Sequence, residues 1–404
     1  MQDFQNGAKN LLPITLWILA TSSLLGILII GKSFLTPIVL AVLISVLINA
    51  AISRVENLGA PKWFAIFVAA IGICMFVLLI AYSFYSQIDT IAESIPQYKN
   101  RISVLMERLS SWIGPSLMAE IEEAVRKIDL GGFISKIADS AGSIMGNIGL
   151  IILYVAFLQA ERGKLLPKFA KLVTDPEKTP EILSIMRKVS LGVRRYLGIK
   201  TVMSLLTGGV SYLILLWLDV DFPEIWAILI FLLNYIPTIG SILGVVFPTL
   251  FALVQFDSLW LVFQLVLFLG LTQFTIGNII EPRFMGQTLN LSPFVVLVSL
   301  SLWGAIWGLE GMFLSVPITA STMIICSYIP WLKWIAVLLS SDGEPDKAGE
   351  VDKEVSATHE HKRRFFLPGL SNAVLEEVQA LRQEVENLKR RDIESQTKNK
   401  QVQE

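Results

Sequence analysis

Apolar positions in this chain come in long uninterrupted blocks rather than in the alternating pattern of a soluble fold. The blocks cover 11–30, 34–52, 63–84, 143–160, 201–218, 225–254, 259–280 and 294–336. A helix needs about 20 apolar residues to cross the ~30 Å hydrocarbon layer. The pattern therefore predicts an all-α, polytopic helical membrane protein of about eight transmembrane helices. The first block is long and no small-x-small cleavage site closes it, so it reads as an uncleaved span and not as a signal peptide.

Two blocks do not fit a simple span. Residues 225–254 and 294–336 would each overshoot a bilayer as a straight helix rising ~1.5 Å per residue. Both carry helix breakers: Pro237, Gly240, Gly244 and Pro248 in the first, Gly304, Gly308, Gly311 and Pro317 in the second. Irregular backbone at membrane depth survives only where protein buries it or where it lines a watery cavity. Transporters place such breaks around their substrate, so the C-terminal half is expected to hold broken or re-entrant segments that line a pathway. The competing reading is close helix packing through Gly240-x-x-x-Gly244 and Gly304-x-x-x-Gly308. Polar side chains nearby supply candidate chemistry: Asn234 and Tyr235 at the first break, and the amides Gln273 and Asn278 in the block between. Two acids could couple transport to an ion. Glu281 flanks Pro282 and Arg283, and Glu310 sits in a stretch with no Lys or Arg from 284 to 332. An intramembrane acid is a functional hypothesis; an interfacial partner of Arg283, or a residue at a hairpin tip facing water, is the alternative for each.

Between the blocks lie three segments of other character. In 85–142, Ile88, Ile91, Ile95, Tyr98, Ile102, Leu105, Leu109 and Trp112 recur three and four apart, an apolar stripe on a helix that Pro96 should kink. It must cover a neighbouring helix, the membrane surface or another subunit. In 161–200, Thr179-Pro180-Glu181 reads as a helix start, followed by an apolar face with Arg187, Lys188, Arg194 and Arg195 beside it. Such a basic amphipathic helix lies on anionic lipid or packs on the bundle. The tail, 337–404, is charged and disordered in character, with a short 4-3 repeat from Val374 to Leu388 that suggests a brief coiled coil. The organisation expected is N-terminal transmembrane helices (1–84), an extracytoplasmic helical insert (85–142), a span (143–160), the basic segment (161–200), a C-terminal transport core (201–336) and the tail (337–404).

Composition agrees. Of 404 residues 53% are hydrophobic and 17% charged, with a mean hydropathy of +0.62. The net charge of −1 conceals a segregation that sets orientation. Residues 161–200 hold ten Lys and Arg against four acids, whereas 85–142 holds six against eight. Positive loops stay in the cytoplasm, which puts 161–200 inside, 85–142 outside, and both termini inside. The two cysteines lie in apolar blocks, which argues against a disulfide framework. There is no GxxxxGK[ST] phosphate loop, no His–Glu zinc pattern and no histidine in the membrane part. The only histidines, His359 and His361, make a weak metal signal. No enzyme, cofactor, metal site or nucleic-acid partner is expected.

The stretches "NYIPTIGSILGVVFPTLFAL", "NIIEPRFMGQTLNLSP" and "WGAIWGLEGMFLSVPITA", in this order and spacing, resemble the autoinducer-2 exporter family of bacterial permeases. The resemblance rests on Ile236, Pro237, Gly240, Asn278, Pro282, Gly286 and Gly311-Met312 ahead of Val316-Pro317, and spans residues 11 to about 336. Many members carry an acid two residues before the Asn; Ile276 stands there in this chain, which weakens any cation site borrowed from them. The resemblance implies a permease of the bacterial inner membrane that exports a small polar solute, autoinducer-2 foremost, without ATP, and that works as a homo-oligomer in lipid. The alternative it carries is a sodium(lithium)/proton antiporter of the same fold.

Overall fold

The structure is a computed structural model that describes residues 2–110, 148–161, 164, 168, 179–286 and 289–345. The second helix expected in the insert, the tail repeat and both histidines lie outside these residues. All regular elements among the described residues are helical: α1 (Gln2–Ile30), α2 (Lys32–Asn57), α3 (Lys62–Ser110), α4 (Ile148–Glu161) and α5 (Thr179–Trp217), then α6 (Pro223–Leu233), α7 (Ile239–Gln255) and α8 (Leu259–Phe274). A π-helical turn, Thr275–Ile280, joins α8 to α9 (Glu281–Met285); α10 (Pro293–Trp307), α11 (Leu309–Ser327) and α12 (Lys333–Leu339) follow. The chain is a polytopic helical membrane protein. Among the described residues four helices are long and apolar enough to cross a bilayer: Lys32–Glu56, Glu181–Trp217, Leu259–Met285 and Leu309–Ser327. Shorter apolar helices surround them, and large apolar side chains such as Leu213, Trp217, Trp260 and Phe263 are exposed on the outside, as a lipid-facing surface requires.

Two helices run past the boundaries of the sequence segments that hold them. The basic segment and the span after it are one helix: α5 begins at Thr179, where the capping pattern put a start, and runs on through residue 200 without a break. Nothing between Lys200 and Trp217 interrupts the ladder, because the two glycines there, Gly208 and Gly209, cost only about 1 kcal/mol each in a helix interior. Helix α3 likewise continues through Pro96 to Ser110. At ~1.5 Å per residue its 49 residues exceed the ~30 Å hydrocarbon layer, so α3 ends in an arm longer than a span needs.

Both broken blocks fold back as helical hairpins, and they enter from opposite ends. The base of the α6–α7 hairpin lies beside the C-terminus of α5. There Gln255 holds the two legs together: its Oε1 accepts from Asp221 N at 2.9 Å and its Nε2 donates to Asp219 O at 2.8 Å. The base of the α10–α11 hairpin lies beside the N-terminal half of α5, where Lys188 sits over the Tyr328 ring at 5.2 Å. Antiparallel bonds between Ser292 N and Leu339 O (3.0 Å) and between Ser341 N and Asn290 O (2.9 Å) tie its entry to the end of α12. Its tip, Gly308, meets the α1–α2 turn, and Trp307 Nε1 donates to Leu28 O at 2.9 Å. The hairpins pack on each other through Leu233, Ile236 and Leu300, with Met312 beside them. The Tyr235 and Phe313 rings are 4.9 Å apart.

Candidate functional site

The tip of the first hairpin is five residues, Asn234 to Thr238, between α6 and α7. Pro237 cannot donate a backbone hydrogen bond, and Thr238 takes φ +63, a conformation that costs a non-glycine residue energy. Gly240 follows because only a hydrogen fits: a Cβ there would overlap the carbonyl of Leu233 across the turn. The tip is held against α5 by side chains. Asn234, buried, donates from Nδ2 to Ser204 Oγ at 3.0 Å, and Tyr235 donates its hydroxyl to Thr201 Oγ1 at 2.8 Å.

These contacts belong to a buried polar stripe on α5. Tyr196, Lys200, Ser204, Thr207 and Ser211 recur four, four, three and four residues apart, which places them on one helical face, and all five are buried. Lys200 Nζ donates to Glu281 Oε1 at 2.6 Å, with side-chain exposures of 6% and 15%. Such low exposure makes this an ion pair in a low-dielectric site and not a surface salt bridge. The π-helical turn ahead of Glu281 lies where α8 passes this face. π-turns of this kind recur at functional sites.

The pair opens into a cavity of about 350 Å³. Its wall brings together Tyr196, Lys200, Pro237 and Glu281 with Asn290 and Asp342 from the base of the second hairpin. Asn290 Nδ2 donates to Asp342 Oδ1 at 2.8 Å. A second, larger cleft of about 800 Å³ lies between the α3 arm, through Arg101 and Leu105, and the α7–α8 turn, through Leu253 and Leu259. Part of the apolar stripe of the insert is thereby placed: Leu105 lines this cleft, and Tyr98 packs on Phe251 with ring centres 5.2 Å apart. The side chains of Ile88, Ile91, Ile95, Leu109 and Trp112 lie outside the described set.

Of the residues singled out from sequence, Pro237 and Glu281 line the cavity, while Asn234, Tyr235 and Gly240 build and pin the turn that carries Pro237 to it. Gln273 is buried one layer away, its Nε2 packed against Gly244 with no hydrogen-bond partner among the described residues. Asn278 is on the exposed side of the π-turn. Gly304 and Gly308 are at the far tip, where Gly304 makes room for Met312 and Gly308 takes φ +70. Glu310 is exposed at that same tip. Lys200, Tyr196, Thr201 and Ser204 were not anticipated. By charge alone Lys200 is one of the ten bases of 161–200; its four-residue spacing from Tyr196 and from Ser204 is the signal that sets it apart.

Comparisons with known proteins agree with this architecture. The family profile described as "AI-2E family transporter" matches residues 12–331. The "AI-2 transport protein TqsA" of Escherichia coli (strain K12) is 32% identical over 315 residues, covering 77% of this chain and 90% of that one. Two relatives carry the name "Putative transport protein". That of Haemophilus influenzae is 31% identical over 317 residues, 77% of this chain and 91% of its own. That of Borreliella burgdorferi is 28% identical over 316 residues, 77% and 85%. The chain thus belongs to the AI-2E transporter family.

Proposed function

We propose that this protein is a secondary exporter in the bacterial inner membrane that moves a small polar solute, autoinducer-2 foremost, through the cavity at the tip of the α6–α7 hairpin. One observation carries the reading: the tip, the Lys200–Glu281 pair and the base of the second hairpin converge on one cavity of about 350 Å³, where a few charged and polar groups meet an apolar wall that includes Leu289, Val296 and Val316. Cavities of this size hold small ligands. Hairpins that enter from opposite ends suit alternating exposure, because each can move against α5 without unpairing its own ladder. Pro237 lines the pathway on the turn that Asn234, Tyr235 and Gly240 build; Gln273 backs it from α8, one layer away, and Gly304 and Gly308 shape the second hairpin. The E. coli relative's name supports autoinducer-2 as the cargo. The basic N-terminal half of α5 supports cytoplasmic termini.

A second reading, sodium or lithium exchange against protons, is favoured by Glu281, a carboxylate held at the cavity with little exposure. Glu310, exposed at a tip, has the weaker claim. Purified protein in liposomes separates the readings. Uptake of labelled autoinducer-2 into inverted vesicles supports the exporter. Sodium- or lithium-dependent proton flux without uptake supports the exchanger.

A further inference from the structure

We infer that the Lys200–Glu281 pair is a charge filter that admits uncharged solutes bearing neighbouring hydroxyls and turns away solutes of either net charge. The inference deepens the exporter reading and rests on it for the location of the pathway. Its first support is geometry. Both side chains line the cavity, and they share one hydrogen bond of 2.6 Å. An ammonium has three hydrogens and a carboxylate two oxygens. After that bond the pair still offers donors on Lys200 and an acceptor oxygen on Glu281, side by side. Adjacent hydroxyls match this arrangement: one accepts from Lys200 while the next donates to Glu281, and the ion pair stays intact.

The second support is the cost of any other cargo. A carboxylate or phosphate would have to take Lys200 from Glu281 and leave the Glu281 carboxylate unpaired in a site 15% exposed. An ammonium would strand Lys200 in the same way. An unpaired buried charge is strongly penalised, and such a penalty is how a site rejects a wrong partner. The rest of the wall does not offset it. Tyr196 and Asn290 are neutral, and Asp342, the other charged residue among the lining groups, already accepts from Asn290 and from Glu344 N at 2.9 Å. Asp342 is exposed to solvent, which screens its charge: it adds repulsion against an anion and only a weak pull on a cation, far less than the cost of stranding Lys200.

The filter makes opposite predictions for its two halves. Glu281→Gln leaves Lys200 without a counter-charge and should open the site to anions. Lys200→Met leaves Glu281 alone and should open it to cations. The test uses the full chain in liposomes and three labelled five-carbon probes that differ at one end: ribitol (neutral), ribonate (anionic) and 1-amino-1-deoxyribitol (cationic). In the native protein ribitol flux should exceed the other two by about tenfold or more, the ratio that a difference of one decade in affinity gives. Glu281→Gln should bring ribonate to within about twofold of ribitol, and Lys200→Met should do so for the aminoribitol. The exchanged pair, Lys200→Glu with Glu281→Lys, should restore the preference for ribitol and keeps the test open if a single variant does not fold. Equal ribitol and ribonate flux in the native protein overturns the filter, as does a shift of both single variants toward the same charge. Labelled autoinducer-2 is run alongside. Its absence with ribitol selectivity intact removes the cargo and keeps the filter; its transport with no selectivity among the probes removes the filter and keeps the cargo.

Discussion

Tyr98 and Asp221 lie 123 positions apart in the chain, yet the Tyr98 hydroxyl donates to Asp221 Oδ2 at 2.6 Å. The contact fastens the C-terminal arm of α3 to the base of the first hairpin. A few turns earlier Gln87 Nε2 donates to Glu224 Oε2 at 2.7 Å, and Tyr212 donates to the other oxygen of the same carboxylate at 3.2 Å. Asp219 and Phe222, on either side of Asp221, take φ +56 and +60, so the arm fastens on strained backbone.

The Tyr98 hydroxyl has its pKa raised, first by burial and then by its bond to Asp221. The docked arm therefore holds this proton more tightly than the undocked one. Docking is at full strength below the ordinary tyrosine value of ~10 and fades as pH rises beyond it. Tyr98→Phe should lower stability by about 1 kcal/mol at neutral pH, modest because the bond is exposed. It should also flatten the alkaline decline. Thermal melting in detergent against pH, variant beside native, checks both.

At the buried pair, truncating one partner should cost more than replacing both. Glu281→Leu alone strands Lys200 and should destabilise by about 3 kcal/mol, whereas Glu281→Leu with Lys200→Met should recover most of it. Denaturation of the four proteins of this cycle gives the coupling. Additive costs would mean that the pair does not act as a unit.

Gly240→Ala and Gly311→Ala should prevent folding or yield little monodisperse protein. In each case the new Cβ meets a backbone carbonyl of the opposite leg, Leu233 O for Gly240 and Trp303 O for Gly311. Gly209→Ala and Gly270→Ala meet nothing within 4 Å and should express normally or gain about 1 kcal/mol of helix stability. Size-exclusion profiles of the four variants sort them directly.

Pro237→Ala should fold and insert, because the tip is already pinned by Asn234 and Tyr235, but solute flux should fall. The added N–H and the lost ring free the chain to continue a helix through the tip, a bias normally worth ~3 kcal/mol. Flux at the native level, with normal abundance, would leave only packing as the reason for the break.

Orientation is testable with single cysteines. One at Ser184, exposed on α5, should react with an impermeant reagent from the cytoplasmic side only; one at Ser103, exposed on the α3 arm, should react from outside only. Reaction of both from one face would contradict the charge-based map.

Most of the architecture could be read from apolar block lengths. The breaks at Pro237 and Gly308 marked both hairpins, because lipid leaves few other uses for such residues. The site was half legible. Pro237, Gly240, Asn234 and Glu281 stood out as polar or helix-breaking residues in apolar surroundings. Lys200 did not, because a base near the end of a basic segment reads as cytoplasmic until the helix carrying it is known to run on past it. Asn278 stood out for the same reason as Asn234 yet faces outward. The π-turn adds a residue per turn there, so spacing in units of 3.6 misplaces its face. Contacts such as Tyr98 with Asp221 join segments too far apart for any local pattern to encode.

The Gln255 clasp at the mouth of the first hairpin has a consequence for how the chain is made and mapped. Because Asp219 and Gln255 lie on one side, the 33 residues from Pro223 to Gln255 add no crossing, and reporter fusions at residues 220 and 257 should report the same compartment. A fusion cut at residue 238 has α6 without its return leg or its clasp. That greasy stub would be free to thread across the bilayer, so truncation series through this region should record a span that the finished protein does not have.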